Sequence, residues 1–525
     1  MRFFALLFCL IGALIQTPSC WAQSFVTVPQ WSNYDVVLYS APYPNPYTDV
    51  IVTATFTGPS GIPKTIQGFW DGGNIFKVRF TPTAQGTWRY SIVSSPHDAG
   101  LTKSGTIRAV KPVAGSHGFL RRDPDNPYSF VFDDHTRYFL LGQTYYGLVL
   151  NALDNGDWRT AVTNSKKYGF TKVRVLLFNW VPGTGASYGH PYMKPFTTDH
   201  DHVNLAYWQK MDEVVSYIQS QGMIADLILF SDDPASWGTS AQNDRYVRLA
   251  LARFAAYRNL IWCLSNEWNY TGQPQSEIDR LGAIVSLQDP YAYNKVARRL
   301  LSVHQQTRID FQFYDSPWPT LAEIQYGPRN QTSPYGDVWG NLGIAYNLGH
   351  DMPVVNEEYG YIDPLNVYKL RDGTAFSEHR TSIRNAIWGI VMAGGYGTFG
   401  GDTTAISLTS IPMFSGDWFD QPSQYGDVRV LSSFMQSVSY WQMSPQNSVV
   451  SGKRVYVLGM KTDYIIYDAV GQSFEVRMSG PCDVARIDPR TGETLSLPSI
   501  PGGRNQLSPP DEQDYVYHLT GHACQ

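Results

Sequence analysis

The pattern of hydrophobic and polar positions divides the chain into three zones. In residues 25–112, short runs rich in β-branched and aromatic residues, such as 49–56 and 87–92, alternate with turn segments containing Gly, Pro or Asn. Short runs of this kind, separated by turn segments, are typical of β-strands. The pattern predicts a small N-terminal β-sandwich over residues 23–114.

From about residue 117 onward, strand-like runs alternate with segments of helical periodicity. The run 223–230 is apolar except for one Asp, whereas 205–221 places large apolar side chains on one helical face. Apolar strands separated by helices indicate a parallel sheet with helices packed on it. About eight such units over about 320 residues predict a (β/α)8 TIM barrel, an α/β fold, with a doubly wound open sheet as the competing architecture.

The barrel is predicted to occupy residues 115–437, and its fifth strand has two candidate positions, 300–304 and 309–314. From about residue 440, strand-like runs return without intervening helices, for example at 454–458. This return to an all-β pattern predicts a second, C-terminal β-sandwich over residues 438–525.

The first 22 residues have the pattern of a secretory signal peptide. Arg2 gives a positive start, and the apolar run 3–15 is too short to span a bilayer. Small residues stand at the positions that a cleavage site after Ala22 requires. An uncleaved anchor is the alternative. We therefore expect a secreted or periplasmic protein.

Cysteine usage agrees with export. Three cysteines remain after the signal peptide, and Cys263 lies in an apolar run that predicts a buried thiol. Cys482 and Cys524 both fall in the last segment, where an oxidising compartment would let them form a disulfide. Their spacing fits no zinc pattern, and we expect neither a metal nor a cofactor.

Composition narrows the class of protein. Charged residues make up 16% of the 525 residues, below the usual value of about 25%, and aromatic residues reach 14%. With a net charge of −5, the chain lacks the basic surface that binding to nucleic acid requires. The composition also excludes a coiled coil, a disordered chain and a multi-pass membrane protein. Few charges with many Trp and Tyr residues are common in secreted proteins that act on carbohydrates.

In a (β/α)8 barrel the chemistry takes place where the strands end at the C-terminal face. Glu267 and Glu358 each end a strongly apolar run. Glycoside hydrolysis requires a pair of carboxyl groups across a cleft, one as proton donor and the other as nucleophile. Side-chain alternation indicates that Glu357 and Glu358 do not both face the cleft, and it leaves open which one does.

Other polar or aromatic residues near strand ends are candidates for substrate binding. Arg174 would be a costly buried charge unless paired, so it either orients the nucleophile or belongs to a structural ion pair. Trp180 and Trp268 are expected in loops, where they either stack on sugar faces or pack within the loop. The predicted substrate-binding residues are Gln143, Tyr145, Arg174, Trp180, Asn266, Trp268, His304 and Tyr326.

Several segments resemble motifs of a known enzyme superfamily. Leu264-Ser-Asn-Glu-Trp-Asn resembles the fourth-strand signature of the retaining (β/α)8 glycosidases of clan GH-A. Pro353-Val-Val-Asn-Glu-Glu-Tyr-Gly resembles their seventh-strand nucleophile motif. More closely, nearly the whole mature chain resembles apiosidase-like glycoside hydrolases with an N-terminal β-sandwich. Further matching segments are Gly118-Phe-Leu-Arg-Arg, Leu140-Leu-Gly-Gln-Thr, Tyr207-Trp-Gln-Lys-Met-Asp and Asp488-Pro-Arg-Thr-Gly-Glu.

The resemblance implies roles for individual residues. Glu267 matches the acid/base, Asn266 matches the residue that binds the sugar 2-hydroxyl, and Glu358 matches the nucleophile. His304 matches an active-site His of the fifth strand, and Tyr326 matches a sixth-strand Tyr that hydrogen-bonds the nucleophile.

The expected function is a secreted retaining glycoside hydrolase that cleaves O-glycosidic bonds of a poly- or oligosaccharide by double displacement. A non-catalytic glycan-binding or adhesion protein on a barrel scaffold and a polysaccharide lyase are the alternatives. A carbohydrate is the only expected partner, with no nucleic acid, no membrane span and no favoured oligomeric state. A glycosylation sequon at Asn269 would place a glycan beside Glu267, so the sequence favours a bacterial source.

Overall fold

The structure is a computed structural model that describes residues 25–178, 194–197, 199–293, 297–306, 310–326, 338–362, 380–402, 422–521 and 524. The predicted signal peptide and Trp180 lie outside the described residues. None of the helices in these segments is long and apolar enough to cross a membrane.

Two sheets form the N-terminal region. One sheet has the strand order Val26–Pro29, Lys103–Val110, Gly86–Ser95, Ile51–Thr57 and Pro63–Gln67, and the other has the order Tyr34–Tyr39, Ile75–Phe80 and Phe69–Gly72. Alternate residues of the strand Ile51–Thr57 face inward. Phe56 of one sheet stacks on Phe80 of the other, with ring centroids 4.0 Å apart. A short helix, Pro46–Asp49, precedes the strand Ile51–Thr57. Two sheets that share one core in this way form the predicted sandwich.

Eight parallel strands form a closed ring in the described residues. In chain order they are β1 (Leu141–Thr144), β2 (Lys172–Leu176), β3 (Ile224–Phe230), β4 (Leu260–Ser265), β5 (Leu301–Ser302 continued by His304–Gln305), β6 (Ala322–Ile324), β7 (Val354–Asn356) and β8 (Tyr396–Phe399). The two pieces of β5 pair with β4 and β6, and β8 pairs with β1. The ring is therefore the predicted (β/α)8 barrel and not a doubly wound sheet. The first candidate for the fifth strand, 300–304, is the correct one.

Helices surround this ring. Those in the described residues are α1 (Leu148–Leu153), α2 (Trp158–Lys167), α3 (Leu205–Ser220), α4 (Ser240–Phe254), α5 (Gln275–Gln288), α6 (Val338–Asn347), α7 (Arg380–Met392) and α8 (Pro422–Ser437). Because helices cover their outer face and side chains fill the interior, every residue of β2, β3 and β4 is buried. A hairpin of Leu120–Arg122 and Phe130–Phe132 precedes β1, and Tyr361–Ile362 pairs with Gly401–Asp402.

The C-terminal region again consists of two sheets. One has the order Ser444–Pro445, Val455–Met460, Asp463–Asp468, Tyr515–Thr520, Cys482–Ile487 and Thr494–Ile500, and the other has the order Val450–Ser451, Phe474–Met478 and Gly503–Leu507. Cys482 and Cys524 form a disulfide with their Cα atoms 5.3 Å apart, whereas Cys263 is a free and buried thiol. Both predictions about the cysteines are confirmed.

Buried ion pairs join both sandwiches to the barrel helices. Arg79 of the strand Ile75–Phe80 contacts Asp212 of α3 at 2.7 Å. Arg384 of α7 contacts Asp514, which precedes the strand Tyr515–Thr520, at 2.6 Å. The sandwiches thus pack against the outside of the barrel. Polar side chains converge at the carboxyl ends of the barrel strands.

Candidate active site

Alternation along β1 decides which of its side chains point into the barrel. A Cβ added at Gly142 would come within 2.6 Å of the Lys172 Cε, so Gly142 lies on the interior face. Gln143 and Tyr145 have the opposite parity. The Tyr145 hydroxyl lies 2.8 Å from the Ser165 Oγ, which also donates to the Gln143 Oε1 at 2.9 Å. The prediction that Gln143 and Tyr145 bind substrate is therefore wrong in position, because both side chains turn toward α2.

Tyr146 is the aromatic residue that β1 directs into the barrel. Its hydroxyl donates to the Glu358 Oε1 and lies 3.0 Å from the Asn266 Oδ1. Burial raises the pKa of Tyr146 well above its usual value, so the hydroxyl stays protonated and can donate. The sequence analysis missed this residue. Side-chain alternation could have found it, because Tyr146 lies two residues after Thr144, the pairing partner of Arg174, and therefore shares its face.

Arg174 of β2 is a fully buried guanidinium at the centre of this cluster. Its Nη1 donates to the Glu358 Oε1 at 2.6 Å, and its Nη2 donates to the Asn266 Oδ1 at 2.7 Å. The His304 Nδ1 of β5 lies 2.8 Å from the same Nη2. Arg174 is therefore an ion-pair residue, and its partner is the candidate nucleophile. One planar group thus contacts a carboxylate, an amide and an imidazole that are carried by β7, β4 and β5.

Glu357 and Glu358 both point into the barrel, at different depths. The strand β7 ends at Asn356, so strict alternation no longer applies to the two residues after it. Glu357 reaches down to Lys172, whose Nζ donates to both carboxylate oxygens at 2.6 and 2.7 Å. Glu358 lies higher and accepts a hydrogen bond from the Gln325 Nε2 at 2.8 Å. Glu358 is therefore the one beside Glu267, and Glu357 lies fully buried beneath it, so the two carboxyl groups do not share one position at the cleft.

Glu267 sits at a sharp turn after β4. Its backbone has φ +38° and ψ 50°, a left-handed conformation that non-glycine residues rarely adopt. Such backbone strain is common at functional sites, because the surrounding structure must hold it in place. A 3-10 helix, Trp268–Tyr270, follows at once, and the Glu267 backbone N–H lies 3.3 Å from the His304 Nδ1.

The surroundings of Glu267 favour its neutral form. Burial first, and then the negative charges of Glu358 and Asp232, raise the pKa of Glu267 to about 8. Arg174 and a hydrogen bond with Gln325 act in the opposite direction. At neutral pH the site therefore holds one protonated carboxyl group beside a second one that is paired with a guanidinium. When the surroundings of two carboxyl groups favour different protonation states, the protonated group can act as the acid and the ionised group as the base or nucleophile.

Asp232 is a third carboxyl group at this site. It follows β3, hydrogen-bonds Asn266, and has a pKa raised first by burial and then by the charge of Glu358. Its neighbour Asp233 instead accepts a hydrogen bond from the Ala235 backbone N–H at 2.7 Å. That contact makes Asp233 the cap of the 3-10 helix Pro234–Ser236.

Comparison with known sequences assigns this site to a family. The family described as "Apiosidase-like, catalytic domain" matches residues 125–442, more than half of the chain. The chain belongs to the apiosidase-like family. This membership makes the protein a glycosidase, as predicted from its motifs. A domain of unknown function, DUF5060, matches residues 27–95, and no curated protein matches the sequence.

Solved structures share the fold of this apiosidase-like protein. A structure designated a glycoside hydrolase from Bacteroides vulgatus ATCC 8482 has a TM-score of 0.76 at 20% identity, covering 94% of this chain and 99% of its own. A glycoside hydrolase of family 5 from the same organism has a TM-score of 0.64 at 15% identity, covering 78% of this chain and 94% of its own. At these identities the likeness shows a common architecture of barrel and β-rich flanks.

The remaining predicted residues of the apiosidase-like site lie close to the cluster. His304 is fully buried, and burial followed by the charges of Arg174 and Lys172 lowers its pKa well below the usual value, so the ring is neutral. Trp268 is buried edge-on against Phe313, with ring centroids 5.0 Å apart. The Tyr326 backbone N–H donates to the Asn356 Oδ1 at 3.1 Å. Contacts of Trp268 with substrate and of Tyr326 with Glu358 stay predictions.

One group of buried side chains in the described residues has the composition of a metal site. Asp226, Cys263 and Glu323 bring three ligand atoms within 4.8 Å of one another inside the barrel. The Lys172 Nζ already contacts the Asp226 Oδ2 at 2.7 Å. Burial and the neighbouring charges of Asp226 and Glu357 raise the pKa of Glu323 well above its usual value, so it is a neutral acid there. The proton on Glu323 and the Lys172 ammonium therefore compensate the negative charge of this group.

Proposed function

We propose that the protein is a secreted retaining glycoside hydrolase in which Glu358 is the nucleophile and Glu267 is the acid/base. The observation that carries the proposal is the asymmetry of the two carboxyl groups. Glu358 is held by Arg174, Tyr146 and Gln325, all of which donate hydrogen bonds to its oxygens. Glu267, next to it, has a pKa raised to about 8 and carries the proton that a departing oxygen needs.

The reaction follows from these states. Glu358 attacks the anomeric carbon and forms a glycosyl ester, while Glu267 gives its proton to the glycosidic oxygen as the bond to the leaving group breaks. Once Glu358 is esterified its negative charge is gone, which lowers the pKa of Glu267 toward that of an ordinary carboxylate. Glu267 can then take a proton from water, and the resulting hydroxide equivalent releases the sugar from Glu358.

Retention is supported by the position of Gln325. Its side-chain amide hydrogen-bonds both Glu358 and Glu267, so the two carboxyl groups lie on either side of one small group. Retaining glycosidases hold their carboxyl groups about 5–5.5 Å apart, and inverting enzymes need about 6.5–9.5 Å to admit a water molecule. A shared amide favours the shorter arrangement.

The substrate is proposed to be an oligo- or polysaccharide outside the cytoplasm of a bacterium. The predicted signal peptide and the disulfide between Cys482 and Cys524 support export. Asn266, whose Oδ1 is fixed by Arg174, is the proposed ligand of the sugar 2-hydroxyl. The name of the family makes apiosides the first substrates to assay.

The test uses two variants and a control. Glu358→Gln is expected to lower turnover by at least about 10⁴-fold without unfolding the protein. Glu267→Ala is expected to affect substrates with poor leaving groups most, and azide should restore part of the rate with an activated aryl glycoside. Glu213→Gln, a change at the surface of α3, should leave turnover unchanged.

Two results would contradict the proposal at different levels. Wild-type turnover in folded Glu358→Gln or Glu267→Ala protein would overturn the assignment of the catalytic pair. A first-formed sugar with inverted anomeric configuration, observed by NMR, would overturn retention and keep hydrolysis.

A further inference from the structure

A second layer of charged side chains lies beneath the proposed catalytic pair. Lys172 is two residues before Arg174 on β2 and shares its interior face. It is fully buried, and its Nζ contacts the Asp226 Oδ2 at 2.7 Å and the two Glu357 oxygens at 2.6 and 2.7 Å. These three side chains come from β2, β3 and the turn after β7, so the layer ties opposite sides of the barrel together.

The ammonium of Lys172 remains charged in this layer. Burial alone would lower the pKa of Lys172, but the carboxylates of Asp226 and Glu357 raise it above its usual value. Glu323 from β6 is the neutral member of the layer. One cation therefore faces two carboxylates, and every contact between them is a short, charge-assisted hydrogen bond.

Glu357 connects this layer to the catalytic pair above it. Its Oε2 lies 3.8 Å from the Arg174 Nε, and it is the covalent neighbour of Glu358. Arg174 in turn donates to Glu358 and to Asn266, the residue before Glu267. A shift of Glu357 would therefore move both the guanidinium and the turn that carries the nucleophile.

We propose that Lys172 and Glu357 are positioning residues for the reaction, which hold Arg174 and the turn after β7 so that Glu358 meets the anomeric carbon. The proposal rests on the proposed function, because it assigns Glu358 as nucleophile. Stability alone does not explain the pair. Buried ion pairs often contribute no more to stability than apolar side chains of the same size, and a methionine would fill the volume of Lys172.

The experiment compares Lys172→Met, Glu357→Gln and the double variant with the wild type. Each single variant is expected to lower kcat on the order of a hundredfold and to change KM little, because misplacement by about 1 Å has an effect of that size. The double variant should lose no more than the worse single variant, since both changes break the same link. Lys64→Met is the control, because Lys64 contacts the Pro290 carbonyl far from this cluster.

The pH profile separates positioning from simple loss of structure. If Arg174 moves away in Lys172→Met, it lowers the pKa of Glu267 less, so the basic limb of kcat/KM should move to higher pH. The double variant, which removes one positive and one negative charge, should keep that upward movement. The charged and titratable groups that face Glu267 or the layer below it are Glu358, Asp232, Arg174, Tyr146, His304, Lys172, Glu357, Asp226, Glu323 and Cys263.

Three outcomes would overturn the proposal. Wild-type kcat in folded Lys172→Met protein would do so, and so would recovery of wild-type kcat in the double variant, which would reduce the role of the pair to charge balance. If Lys172→Met does not fold, Glu357→Gln decides alone, since it keeps the shape of the side chain, and unchanged kcat there would refute positioning. Failure of the proposed function is distinguishable, because Glu358→Gln would then retain turnover.

Discussion

Replacing Glu267 by Gln should stabilise the protein, and the gain should depend on pH. In the folded protein the pKa of Glu267 is about 8, against 4.5 for the ordinary side chain. The folded state therefore binds a proton that the unfolded state releases at neutral pH. Stability from this group is fully present below pH 4.5 and is lost progressively as the pH rises toward about 8.

The size of the effect follows from the pKa difference. At pH 7 the folded protein holds the proton about 2.5 pH units above the ordinary pKa, which corresponds to about 3 kcal/mol of lost stability at about 1.36 kcal/mol per unit. Gln keeps the shape of the protonated acid and has no proton to lose. Glu267→Gln should therefore be about 3 kcal/mol more stable than the wild type at pH 7 and nearly equal to it at pH 4.

The assay is thermal or denaturant unfolding of both proteins from pH 4 to pH 9, with activity confirming that the variant has lost its acid. The difference in stability should open between pH 4.5 and about pH 8 and stay constant above that range. A difference that does not change with pH, or a variant less stable than the wild type at pH 7, would refute the reasoning that burial and nearby charge hold Glu267 neutral.

Three further predictions follow from the same contacts. Asp232→Asn removes a charge that raises the pKa of Glu267, so the basic limb of kcat/KM, near pH 8 in the wild type, should move to lower pH; an unmoved limb would exclude Asp232 from the site. Tyr146→Phe removes a hydrogen bond to Glu358 and should lower kcat by about 10–100-fold with little change in melting temperature, whereas Tyr145→Phe, facing α2, should not affect kcat. Replacing Cys482 and Cys524 by Ser opens a loop of 42 residues and should destabilise the C-terminal sandwich by about 4 kcal/mol, measured by denaturant unfolding, while leaving kcat at low temperature unchanged.

The sequence of strands and helices in the barrel was predictable because each element has its own local pattern of apolar and polar residues. Strongly apolar runs such as 223–230 between helical segments can only be buried strands, and they fix the class of the fold. The fifth strand was ambiguous for a physical reason. It consists of two residues, Leu301–Ser302, and two more, His304–Gln305, each paired with a different neighbour. A strand that short leaves almost no periodic signal.

The wrong predictions about the site came from misjudging which face of a strand a side chain occupies. Tyr145 and Tyr146 are adjacent and chemically identical, and an error of one residue in the register of β1 exchanges the barrel interior for the helix side. The sequence analysis chose Gln143 and Tyr145, which share the wrong face. After β7 alternation could not say which of Glu357 and Glu358 lies beside Glu267, because the strand ends at Asn356 and the chain turns before Glu357. Alternation thus held for the two residues after β1 and gave no answer after β7, where the chain turns at once.

Contacts across the barrel have no counterpart in the sequence. Lys172 on β2 and Glu357 after β7 are separated by two other strands along the sheet, and they meet only because the sheet closes into a ring. A lysine at the start of an apolar strand is unexplained until a strand across the barrel supplies its carboxylate. The same closure brings Arg174 from β2 to Glu358. Charged residues that would be unfavourable in an isolated apolar strand therefore find their partners when the barrel closes. A charged residue inside a predicted barrel strand thus indicates where the functional site lies.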